Sequence, residues 1–74
     1  MHLQIVMNSE GDARYEFDPS EVSSLASAEA RFKELTGEGF RPVALAQDGE
    51  PGQLLRKFNP QVKQTLFVPH LQGG

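Results

Sequence analysis

The stretch Ala13-Arg14-Tyr15-Glu16-Phe17-Asp18-Pro19-Ser20-Glu21-Val22-Ser23-Ser24-Leu25 changes its hydrophobic period partway along, and that change decides the fold. Ala13, Tyr15 and Phe17 alternate with Arg14, Glu16 and Asp18, the mark of a strand with one buried face. Asp18-Pro19-Ser20 stops the ladder, because proline has no N–H to donate. From about Val22 the spacing lengthens. Val22, Leu25, Ala28, Phe32 and Leu35 recur at helical intervals, with Glu21, Glu29, Arg31 and Glu34 mostly outside that stripe. Ser20, Ser23 and Ser24 are candidate N-caps, and Gly37 is the expected C-terminal cap.

Upstream, Leu3, Ile5 and Met7 alternate with His2, Gln4 and Val6, so a first strand forms a hairpin with the second through Asn8-Ser9-Glu10-Gly11-Asp12. Downstream, residues 40–47 are predicted to return to a strand, with Val43 and Leu45 on one side, Ala44 and Ala46 on the other, and Pro42 near its start. Asp48-Gly49-Glu50-Pro51-Gly52 reads as a turn, residues 53–58 as a short strand, and Asn59-Pro60 as a breaker. Residues 64–68 form the last strand, with Leu66 and Val68 opposite Thr65 and Phe67, and Pro69 ends it.

The order β-β-α-β-β-β implies an α+β fold of the β-grasp type, a mixed four- to five-stranded sheet with one helix across one face. The first and last strands are apolar and free of proline, so they are expected side by side, parallel, in the middle. The helix is expected to cover Leu3, Ile5, Tyr15, Phe17, Leu45 and Leu66. Alternation then puts Val6, Ala44, Ala46 and Phe67 on the far side, as a candidate partner-binding face.

Composition narrows the function. Seventy-four residues allow one domain, and 38% hydrophobic content allows only an economical core. There is no cysteine, which removes disulfides, thiol nucleophiles and thiolate metal sites together. The seven basic residues are scattered in a chain of net charge −3, which argues against nucleic acid or an anionic membrane as partner. No apolar run approaches the ~20 residues of a membrane span, and residues 1–7 lack a signal-peptide pattern. The expected location is the cytoplasm, and the expected state a monomer. His2 and His70 lie at opposite ends of the chain with no third ligand between them, so no metal site is expected. The Ser20, Ser23, Ser24 and Ser27 series suits capping better than nucleophilic chemistry. Gly37-Glu38-Gly39 follows a helix instead of preceding one, so it is no phosphate loop. Lys33, Lys57 and Lys63 read as solvated side chains. No catalytic centre emerges, and the chain is not expected to be an enzyme.

Several segments resemble ubiquitin: Leu3-Gln4-Ile5-Val6, the Phe17-Asp18-Pro19-Ser20 corner, Lys57-Phe58-Asn59-Pro60-Gln61, and Lys63-Gln64-Thr65-Leu66 leading to His70-Leu71-Gln72-Gly73-Gly74. The likeness runs over nearly the whole chain, and its ending is the specific part. It suits a divergent modifier of the kind bacteria encode beside activating-enzyme and conjugating-enzyme relatives. On that resemblance, residues 1–69 are a ubiquitin-like β-grasp domain and residues 70–74 a flexible diglycine tail.

The resemblance also implies a mechanism. An ATP-dependent, E1-like activating enzyme adenylates the Gly74 carboxylate and takes it as a cysteine thioester, and an E2-like enzyme passes it to a target amine. A JAB-type protease would reverse the link. No cofactor is bound, since ATP is used by the activating enzyme. Two glycines leave a tail slim enough to thread a narrow channel. Leu71 is the implied apolar handle, with Gly73, His70 and Gln72 as the other recognition residues. His70 and Gln72 stand where ubiquitin's tail is basic, which argues against ubiquitin's own activating enzyme. The same fold and ending also occur in sulfur carriers, which hold sulfur as a Gly74 thiocarboxylate for cofactor or tRNA thiolation. A third reading is a non-covalent docking module.

Overall fold

A computed structural model describes residues 1–46 and 51–69. The chain runs β1 (His2–Asn8), β2 (Gly11–Phe17), α1 (Val22–Gly37), β3 (Arg41–Leu45), β4 (Pro51–Leu54) and β5 (Gln64–Val68). The five strands form one sheet in the order β2-β1-β5-β3-β4. β1 and β5 are parallel neighbours at its centre, and the other pairs are antiparallel. This is the β-grasp arrangement expected from the sequence, with α1 packed on one face.

Short-range chemistry sets the joints. β1 and β2 close around Ser9-Glu10, where the Glu10 N–H donates to Asn8 Oδ1 at 2.8 Å and Gly11 takes the positive φ of 124°. Asp18 Oδ1 accepts the Ser20 N–H and hydroxyl at 2.9 and 2.6 Å, turning the chain from β2 toward the helix. None of the three candidate serines caps α1. Glu21 occupies the cap in an extended conformation without a side-chain bond. Ser24 Oγ instead accepts the Asp18 N–H at 2.8 Å, tying the first helical turn to the end of β2. At the other end the left-handed residue is Gly39, φ 105°, and not Gly37. The Gly39 N–H donates to the Thr36 carbonyl and the Phe40 N–H to the Leu35 carbonyl, a two-bond closure that satisfies the last carbonyls and directs Phe40 onto the core.

The core corrects one expectation decisively. Val6, Phe32, Leu35 and Phe67 form the central cluster, joined by Phe17 and Ala28 as further buried residues. The Phe32 and Phe67 rings meet edge-on at 5.7 Å, so Phe67 points at the helix. Phe58 reaches in from the segment after β4 and touches both Phe17 and Phe32, at 6.0 and 5.8 Å. That segment was expected to be strand through Phe58. The ladder stops at Leu54, and after the Leu55 N–H bonds the Pro42 carbonyl the chain turns inward.

Gln4 and Val6 therefore face α1, and Leu3, Ile5 and Met7 face away from it, the reverse of the expected order. The pairing carries the same assignment across the sheet. Val6 pairs with Ala13 and Phe67, and Phe67 with Pro42; on the other face Ile5 pairs with Leu66, and Leu66 with Val43. Of the six sheet residues expected beneath the helix, Tyr15 and Phe17 are on that side. Leu3, Ile5, Leu66 and, by alternation, Leu45 are on the other. Phe32 and Leu35 are buried as expected, and Leu25 is half-buried.

Candidate functional site

Two places in the molecule are candidates for a functional site: the end of β5 and the helix-free face of the sheet. β5 is hydrogen-bonded on both sides, to β1 and to β3, and ends at Val68. That places the end of the strand in the interior of the sheet order, between β1 and β3. Pro69 follows, exposed. The tail residues on which the sequence reading places recognition and acyl chemistry, His70, Leu71, Gln72, Gly73 and Gly74, lie outside the described residues.

The expected partner face of Val6, Ala44, Ala46 and Phe67 does not exist as such. Phe67 is 0% and Val6 6% exposed, both sealed under α1. Ala44 pairs with buried Thr65 and shares the helix side. Ala46, beyond the end of β3, is exposed. The helix-free face is instead built by the complementary residues of the same strands. A row runs across it from Ile5 through Leu66 and Val43 to Leu54, one residue from each of β1, β5, β3 and β4. Ile5, Leu66 and Val43 are half-buried by their neighbours, and Leu54 is 54% exposed. Leu3 and Val68 extend the patch on either side of that row, and Met7 adds 44% exposure at the end of β1. A sheet with one solvated face normally turns polar residues outward; here the central strands turn Leu3, Ile5, Leu66 and Val68 outward. Charges stand at the border, with Arg14 and Asp12 of β2 paired at 3.6 Å and Glu16 beside Leu3. The signal for this face was present in Leu3, Ile5, Leu66 and Val68, but their hydrophobicity made them look like core.

Leu66 and Val68 belong both to this apolar face and to the strand that leads toward the tail. Two grooves flank the other end of that strand. One of about 590 Å³ is lined by Ala44, Leu45, Ala46, Gln61, Val62, Lys63 and Gln64. Another, of about 450 Å³, lies against Met1, His2, Leu3, Arg14, Glu16, Lys63 and Gln64. Both sit where β5 begins, at the opposite end of that strand from Val68.

His2 stacks edge-on against Phe17 at 5.4 Å. Asp18 is held below its ordinary carboxyl value, first by the Ser20 hydroxyl and then by the Ser20 N–H. Lys33 pairs with Glu29 one helical turn away at 3.8 Å, and Lys57 and Lys63 are exposed. Among the described residues no three of His, Cys, Asp and Glu gather closely enough to hold a metal ion, and no helix is long and apolar enough to cross a membrane. No protein-family model, curated protein or solved structure matches the chain.

Proposed function

We propose that this chain is a ubiquitin-like protein modifier, activated at the Gly74 carboxylate by an ATP-dependent, E1-like enzyme and joined to amines of target proteins. The observation that carries the reading is the course of β5. The strand leading to Leu71-Gln72-Gly73-Gly74 is the central strand of a β-grasp sheet and stops at Val68, six residues short of Gly74. At ~3.3–3.6 Å per residue, an extended segment of that length reaches about 20 Å, enough to enter an enzyme cleft while the domain stays outside.

The chemistry suits such a division of labour. A carboxylate is a poor acyl donor until one oxygen belongs to a good leaving group. The Gly74 carboxylate attacks the α-phosphorus of ATP and releases pyrophosphate, a cysteine thiolate of the enzyme displaces AMP, and the target amine displaces that thiol. Every reactive group except the carboxylate belongs to ATP, the enzyme or the target. The domain supplies binding energy, and the apolar face of Leu66, Val68, Ile5 and Val43 is the surface on which the activating enzyme holds it. Binding there fixes the position of the tail and raises the effective concentration of the carboxylate at the nucleotide.

The test is mass spectrometry of the protein isolated from its host, together with activation by the enzyme encoded there. The reading requires Gly74 to be the carboxyl end of the mature chain and to appear in amide links to lysine. A terminal oxygen replaced by sulfur, without conjugates, would make the chain a sulfur carrier. Removing Gly73 and Gly74 should abolish adenylate and thioester formation and leave the thermal midpoint unchanged. Native activity in the truncated chain would leave only a docking module.

A further inference from the structure

We propose that the buried Gln4 side chain is a conformational selector, committing β1 to one of its two possible facings and so keeping Leu3, Ile5 and Met7 outside. The choice is not made by hydrophobicity. β1 offers Leu3, Ile5 and Met7 on one side and His2, Gln4 and Val6 on the other, and the more apolar set is the one turned away from α1. A slip of one residue along its neighbours would exchange the two sets. Apolar burial alone would reward that exchange.

What opposes it is a set of directional contacts centred on Gln4, which is 0% exposed. Its Nε2 donates to the Ala28 carbonyl at 3.0 Å, and its Oε1 accepts from Arg31 Nη1 at 3.0 Å. The Arg31 guanidinium lies 4.3 Å over the Tyr15 ring, and Tyr15 is the register partner of Gln4 on β2. On the other side Gln4 pairs with Thr65, the second buried polar side chain among the described residues. A polar row thus crosses the middle of the sheet beneath Ala28. A slipped β1 would put Leu3 or Ile5 there and take the acceptor away from Arg31. A single buried polar group in an apolar seam fixes register in the same way in paired helices.

The absence of native cysteine makes each face readable by one thiol. With Gln4 in place, an Ile5→Cys thiol is expected to label at least about tenfold faster than a Val6→Cys thiol. In a Gln4→Leu background the protein should remain cooperatively folded, since a satisfied buried polar group is exchanged for an apolar one of similar size. The labelling ratio should then fall to about threefold or less, with a second set of β1 amide resonances. Arg31→Met, which removes one of the two side-chain bonds, should lower the ratio by a smaller factor. An unchanged ratio in either folded variant overturns the proposal. So does a Gln4→Leu protein that no longer folds cooperatively, which would make the amide an indispensable core contact and not a selector.

Discussion

The two faces of this sheet are made by alternate residues of the same strands and meet different surroundings. Beneath the helix lie Val6, Phe17 and Phe67, together with two polar side chains, Gln4 and Thr65. On the open side lie Leu3, Ile5, Val43, Leu66 and Val68, none of them fully buried. The covered face is therefore not simply the greasier one. It is the face whose aromatic rings interlock with Phe32 and Phe58, and whose buried Gln4 amide finds partners on α1. Burial follows from shape and satisfied bonds as well as from transfer free energy.

The adjacent pair Phe67 and Leu66 offers the most forceful way to break that contrast. Phe67→Ala should cost ~3–5 kcal/mol, as much as a domain of this size holds, and leave it largely unfolded by circular dichroism at 25 °C. A cooperative transition near the wild-type midpoint would mean that the faces have been assigned the wrong way round. The next largest effect concerns the seam that extends the open face to Leu54. A Cβ at Gly52 would stand 2.6 Å from the Ala44 carbonyl oxygen. Gly52→Ala should therefore push β4 away from β3 at a cost of about 1–3 kcal/mol, read by urea unfolding. Leu66→Ala is expected to cost only about 1 kcal/mol, as for a partly exposed position. It should nevertheless lower kcat/KM for adenylation at least about tenfold, a loss of transition-state binding worth ~1.4 kcal/mol. Equal activity in the two proteins would take the open face out of the proposed function.

The smallest effect tests the corner where the chain leaves one face to build the other. The folded-state pKa of Asp18 lies below its ordinary 3.8, so the unfolded chain binds this proton more tightly than the fold does. The contribution of the corner is complete above the ordinary value and is lost as the pH falls through the folded-state value. Between about pH 5 and about pH 2 the wild-type midpoint should fall slightly more steeply than that of Asp18→Asn. Parallel curves would show that the Ser20 bonds do not discriminate between the charged and neutral carboxyl.

Local patterns made most of the architecture legible. The change from period two to helical spacing located α1, and the last strand lies at residues 64–68 as its breakers implied. The parallel central pair followed from two apolar, proline-free strands. What alternation cannot supply is the sign of the face, because it sorts residues into two sets without saying which set meets the helix. Here the sign rests on Gln4, whose partners lie 24 and 27 residues away. A glutamine between Leu3 and Ile5 looks like the solvent side until those partners are known. The helix ends were misread for a related reason: Ser24 serves Asp18 and not the cap, and two glycines near the C-terminus compete for one left-handed position. For the candidate site, the apolar residues of the open face were visible but credited to the core.

The contact between Arg31 and Tyr15 has an optical consequence. Tyr15 is the only tyrosine in a chain without tryptophan, so emission excited at wavelengths that phenylalanine does not absorb comes from one ring. That ring sits on an edge strand, 40% exposed, with a guanidinium from the helix 4.3 Å above it. Any event that lifts α1 from β2 changes the surroundings of the chain's one strong fluorophore. Unlabelled protein therefore carries a built-in single-site reporter of the helix–sheet seam, usable in stopped-flow folding and in titrations with a partner that itself emits weakly.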